Sequence, residues 1–103
     1  MSNDKQNINK ISKEIVSMAA SKASLTVPGV NQERDVKISK EKEGFTIDVY
    51  VLADFGAKIP QLAWDIQNSV KEAVKSTTHQ KVKAVNIHVR GVMMPQEGSR
   101  INE

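Results

Sequence analysis

A carboxylate and an imidazole form the first pair with reactive potential. Asp48 sits in Phe45–Ala53, FTIDVYVLA, and His88 in Ala84–Val92, AVNIHVRGV. Both stretches alternate apolar and polar residues, so each reads as a strand with one wet face. Asp48 and His88 fall on the polar positions, where they could face each other across strands. A carboxylate that orients an imidazole is half of many hydrolytic centres. Such a centre also needs a nucleophile and a cleft. The chain has no cysteine, and a solvated strand face offers neither. A cross-strand ion pair is the expected role.

Other motifs weaken in the same way. Asp54-Phe55-Gly56 copies the metal-binding tripeptide of protein kinases, but the Gly-rich loop, the strand Lys and the His-Arg-Asp loop are absent. Phe55-Gly56-Ala57-Lys58 precedes a helix start, where free N–H groups can hold an anion. One Gly and one Lys fall short of a Walker loop, so Gly56 is expected to serve a tight turn. His79 and His88 lack ligand spacing. The expectation is no catalytic residue, no metal and no cofactor.

Lys71, Lys75, Lys81, Lys83 and Arg90 cluster in the C-terminal half. Such a group can neutralise phosphates, which makes a small KH-like nucleic-acid-binding domain the alternative reading. A KH module grips its ligand with a Gly-x-x-Gly loop, which this sequence lacks. Aromatic content is 4%, too low for interleaved base-stacking platforms. The lysines are expected to be a solvated face, and nucleic acid is not the expected partner.

Five elements must position these residues. Ile8 to about Ser24 reads as a helix, with Ile8, Ile11, Ile15, Met18, Ala19 and Ala23 as its apolar stripe. Thr26-Val27-Pro28-Gly29-Val30 breaks it. Val36–Ser39 is a short strand, and Lys40–Gly44 a charged turn. Phe45–Ala53 is the clearest strand, and the two form an antiparallel hairpin. A second helix follows Gly56–Pro60 and runs to about Thr77, with Ile59, Leu62, Ala63, Ile66, Val70, Ala73, Val74 and Thr77 on one side. Thr78–Lys83 connects to the last strand, Ala84–Val92. The predicted fold is α+β and two-layered: helix-strand-strand-helix-strand, a three-stranded mixed sheet with both helices on one face. The domain is placed at residues 8–94, between a disordered N-terminus, 1–7, and a polar C-terminal tail, 95–103.

The other sheet face is left open. Tyr50 and Leu52 lie beside Asp48 there, with His88, Arg90 and Asn86 from the last strand and Lys37 from the first. An aromatic, an aliphatic and an Arg in a polar frame suit a modest interface. Trp64 is the second oddity. At about 100° per residue it lies roughly 160° from Ile66, the middle of the buried stripe. It is therefore expected outside, near Lys71, as a second contact surface. The partner-binding candidates are Trp64, Lys71, Tyr50, Leu52, His88 and Arg90.

Net charge is +3, which permits an anionic partner without requiring one. The start, MSNDKQN, has no apolar signal-peptide core, and no apolar run approaches the ~18 residues of a membrane span. The expectation is a cytoplasmic protein without direct membrane insertion.

Four segments then carry a likeness. FTIDVYV (45–51), FGAKIP (55–60), IQNSVKEAV (66–74) and VNIHVRGV (85–92), with the earlier MAA…VPGV (18–30), resemble the alkaline shock protein family. These are small general-stress and cell-envelope-stress proteins of Gram-positive bacteria. The likeness runs roughly from Ile8 to Val92. It implies a non-enzymatic interaction or scaffold protein that forms homo-oligomers and serves envelope homeostasis or the stress response. It also implies protein partners, among them a membrane-anchored protein that brings some members near the membrane. No catalytic residue is carried over. The family pattern commonly has a smaller or polar residue where this chain has Trp64.

Overall fold

The structure, a computed structural model, describes the backbone of residues 2–94 and the side chains of residues 13–94. The elements follow the expected order: α1 (Ser2–Leu25), β1 (Val30–Glu41), β2 (Gly44–Asp54), α2 (Ile59–Thr78) and β3 (Val82–Met93). The sheet order is β1-β2-β3. β1 pairs with β2 antiparallel, and β3 pairs with β2 parallel after the α2 crossover. The expected tail from residue 95 lies outside the described residues.

β2 is the centre because its alternation is the cleanest. Phe45, Ile47, Val49, Val51 and Ala53 are buried, while Thr46, Asp48, Tyr50 and Leu52 between them are half-buried. Leu62, Ile66, Val70 and Val74, four residues apart, line the buried side of α2. These residues form one core with Val16, Ala20 and Ala23 of α1. Both helices therefore cover the same sheet face. Full burial of one such side chain stabilises by about 1.5–3 kcal/mol.

Three expectations need correction. The buried side of α1 is Val16, Ala20, Ala23 and Ser24, whereas Ile15 and Met18 are exposed at 38% and 62%. Of the predicted stripe, Ala19 and Ala23 do face the core, and the Ile8 and Ile11 side chains lie outside the described residues. Small side chains let a helix axis approach its neighbours closely. The helix also starts at Ser2 rather than near Ile8. Extending a formed helix by one residue is far easier than nucleating one, so a polar first turn can join it.

β1 starts at Val30 rather than Val36. Its register with β2 shifts between Val30 and Gln32 and again between Glu33 and Asp35. Each shift inserts an extra residue, first Asn31 and then Arg34. Two bulges in five residues erase the period of two that marks a strand.

Candidate functional site

The outer face of the sheet is covered by neither helix, and the register gathers the predicted residues there. Tyr50 stands opposite His88 on β3 and Asp35 on β1, while Asp48 stands opposite Asn86 and Lys37. His88 Nε2 donates to Asp48 Oδ1 at 2.9 Å, and Asn86 Nδ2 donates to the same oxygen at 3.2 Å. The hydrogen bond from His88 holds the Asp48 carboxyl below the usual carboxylate range, against the opposing effect of desolvation. The His88 ring stacks on Tyr50, with centroids 4.4 Å apart and planes 12° from parallel. Lys37 Nζ lies 5.4 Å and the Arg90 guanidinium 5.2 Å from the Tyr50 centroid. Each cation–π contact adds about 0.5–1 kcal/mol at an exposed site. Tyr50 is the hub of this arrangement.

Bulges set the rim. β3 pairs Val89 with Val51 and then Gly91 with Leu52, so Arg90 is an extra residue, as Arg34 is on β1. A bulge re-aims its side chain relative to a regular strand. Arg34, Asp35, Lys37, Tyr50, Leu52 and Arg90 line a cleft of about 380 Å³. Asp35 accepts a hydrogen bond from the Val36 N–H at 2.9 Å, and Glu33 accepts one from Ser21 Oγ of α1. Each carboxylate beside Arg34 thus has one hydrogen bond elsewhere, and neither forms an ion pair with Arg34. Arg34 Nη1 donates to Gln32 Oε1 at 3.2 Å. Among the described residues, no ion pair engages Arg34, Lys37 or Arg90.

The structure brings Tyr50, Leu52, His88 and Arg90 together and leaves Trp64 and Lys71 apart. Trp64 is 61% exposed on α2, beside Pro60 and Gln61. Lys71 borders a separate groove between α2 and β3, shared with Gln67 and Lys83. Lys83 is not a free cation: its Nζ lies 2.6 Å from Glu41 Oε1 and 3.7 Å from Glu43 Oε1. The hydrogen bond to Glu41 raises the Lys83 pKa, and the same bond lowers that of Glu41.

Sequence reasoning missed Arg34 and Asp35, because the strand was expected to begin after them. Gly44 held the signal. A two-residue turn, Lys42-Glu43, pairs Glu41 with Gly44, and unbroken counting back sets Asp35 opposite Tyr50.

The model of the alkaline shock protein family, described as having a cell envelope-related function, matches residues 11–94. Among relatives, YloU of Bacillus subtilis is 30% identical over 102 residues, covering 80% of this chain and 85% of that protein. YqhY of Bacillus subtilis is 29% identical over 72 residues, covering 70% and 53%. Spy1535 of Streptococcus pyogenes is 38% identical over 61 residues, covering 58% and 47%. All three are described as uncharacterized, and the chain spans about half the length of the last two. Solved MamM CTD chains share the fold. One superposes with a TM-score of 0.56 at 19% identity, covering 76% of this chain and 95% of that chain. A second gives 0.55 at 18%, covering 81% and 98%.

Proposed function

The chain belongs to the alkaline shock protein family, and from that premise we propose that it is a non-enzymatic scaffold protein of the cell envelope. It works by self-association and by contacts with protein partners in the cytoplasm. The observation that carries this reading is the sheet face that neither helix covers, where Tyr50 is half-buried among His88, Lys37 and Arg90. An aromatic and an arginine in a polar frame are the residue types enriched at interfaces.

The Asp48–His88 pair supports contact rather than chemistry. Its side chains are 29% and 39% exposed, the imidazole bonds to the carboxylate, and the ring is stacked on Tyr50. That arrangement suits a rigid surface. Trp64, on the other side of the domain, is the proposed self-contact. Among the described residues no helix is long and apolar enough to cross a membrane. In this reading a separate membrane-anchored protein supplies contact with the envelope, as the family resemblance implies.

The test uses a photo-crosslinking residue at position 50 or 64 in the native cell. Position 64 should yield adducts with a second copy of the chain, and position 50 adducts with another protein. Neither position exceeding an exposed control at Lys13 would defeat the proposal. Light scattering checks the self-contact separately. Trp64→Gln should lower the assembled mass, and an unchanged mass would remove Trp64 from the interface.

A further inference from the structure

Resting on the reading of the open sheet face as a contact surface, we propose that the cleft between Arg34 and Arg90 docks an acidic segment of a protein partner. A carboxylate seats between the two guanidinium groups, and an aliphatic side chain beside it rests on Leu52.

Charge is the first argument. The cleft is lined by three cations, Arg34, Lys37 and Arg90, against one carboxylate, Asp35. Asp35 is turned to its own backbone and Glu33 to Ser21. Among the described residues the three cations have no ion-pair partner. Three cations against one carboxylate leave the lining net positive, so it attracts an incoming anion. Two of the three are arginines, whose planar fork binds a carboxylate through two parallel N–H···O bonds.

Position is the second. Arg34 and Arg90 are the extra residues of two bulges on opposite edges of the sheet, one against Tyr50–Val51 and the other against Val51–Leu52, and both line the cleft with Leu52. The bulges therefore bring a cation from each edge strand to one spot on the central strand. The third argument is the mixed lining. Leu52 gives an apolar floor, and about 380 Å³ admits one or two side chains rather than a long track.

A nucleic acid fits the face less well. The Tyr50 ring is held against His88 at 4.4 Å, so that stack is already made and closed to a base. A phosphate backbone running along the strands would leave the cleft and meet Asp48, which is outside its lining and would repel it.

The test is fluorescence anisotropy on the full chain at low ionic strength. The probes are a short labelled peptide rich in Glu and Leu, its Gln counterpart, and a labelled oligothymidine. The chain should bind the acidic peptide over the Gln peptide. Arg34→Gln with Arg90→Gln should weaken binding about tenfold, the loss of a charge-assisted bidentate contact. Arg34→Lys with Arg90→Lys keeps the charge but not the fork, and should weaken it about threefold. Lys42→Gln with Lys75→Gln, exposed lysines elsewhere, should change it less than about twofold. Thermal melting confirms that each variant folds. Equal loss in the cleft and control doubles would overturn the site, leaving only diffuse charge. Tighter binding of the oligonucleotide through the same arginines would make it a nucleic-acid site instead. Adducts at position 50 that the acidic peptide cannot compete away would refute the acidic segment while leaving the contact surface standing.

Discussion

The two ends of the sheet solve the same problem in opposite ways. Each carries a bulged cation on β3. Near the β1–β2 turn it is Lys83, inserted between the Phe45–Val82 and Thr46–Ala84 pairs; at the far end it is Arg90. Lys83 is fastened by Glu41 and Glu43 from the turn, and the Phe45 N–H donates to Lys81 O at 2.9 Å beside it. Arg90 meets an aromatic ring and, among the described residues, no ion-pair partner. Charge at the turn end is satisfied within the chain. Charge at the far end faces outward, toward whatever the sheet meets.

Glycines test the contrast most severely. Gly44 adopts φ +130, and a Cβ there would lie 2.6 Å from Lys81 O, a backbone atom that cannot step aside. Gly44→Ala should destabilise by about 3 kcal/mol, combining left-handed strain and overpacking. In a domain of this size that lowers the melting temperature by roughly 10–20 °C. Gly91 at the far end is different: its added Cβ would meet only Leu52 Cδ2 at 3.5 Å, an ordinary contact. Gly91→Ala should stay within about 1 kcal/mol of the parent. Urea unfolding of both variants decides it, and equal damage would mean that the far end is packed as tightly as the turn.

Legibility in the sequence divides along similar lines. Phe45–Ala53 and the α2 stripe are readable because large apolar residues repeat there at two and at 3.6 without interruption. The outer face follows from the same alternation, which is why Tyr50, His88 and Arg90 are found together. The exposure of Trp64 follows from its helical angle. α1 misleads a periodicity argument in part: Ala19 and Ala23 do face the core, but Ile15 and Met18 outweigh Val16 and Ala20 in hydrophobicity while the smaller pair packs closer. Asp35 can be reached by counting back from Gly44, but Arg34 is hidden by the bulge itself, since an extra residue inverts the alternation beyond it. A bulge that creates the cleft also conceals it.

The Asp48–His88 pair lies between the two ends, and pH reads it. The Asp48 carboxyl is held below its usual range chiefly by the hydrogen bond from His88. A group with a depressed native pKa contributes stability above its unfolded pKa and loses it as pH falls through the native one. The chain should therefore lose stability on acidification below the ordinary carboxylate range. Asp48→Asn should cost roughly 1 kcal/mol near neutrality, allowing for partial exposure. Its deficit should shrink toward zero in acid. Urea midpoints across pH measure this, and a deficit unchanged in acid would show that shape, not charge, matters at this position.

Salt gives the smallest effect and the sharpest sign. At the turn, Lys83 attracts Glu41 and Glu43, so Lys83→Gln should slightly lower the melting temperature at low ionic strength. At the cleft, Arg34, Lys37 and Arg90 repel one another, so Arg34→Gln should slightly raise it. Both shifts are small because the groups are exposed to water. Both should vanish near 1 M salt, where the screening length falls to about 3 Å. The two ends differ in kind only if the signs are opposite at low salt and merge at high salt. If Arg34→Gln lowers the melting temperature at low salt as Lys83→Gln does, Arg34 already has a stabilising role inside the chain. The far end would then be as self-contained as the turn, with no unmet charge to offer a partner.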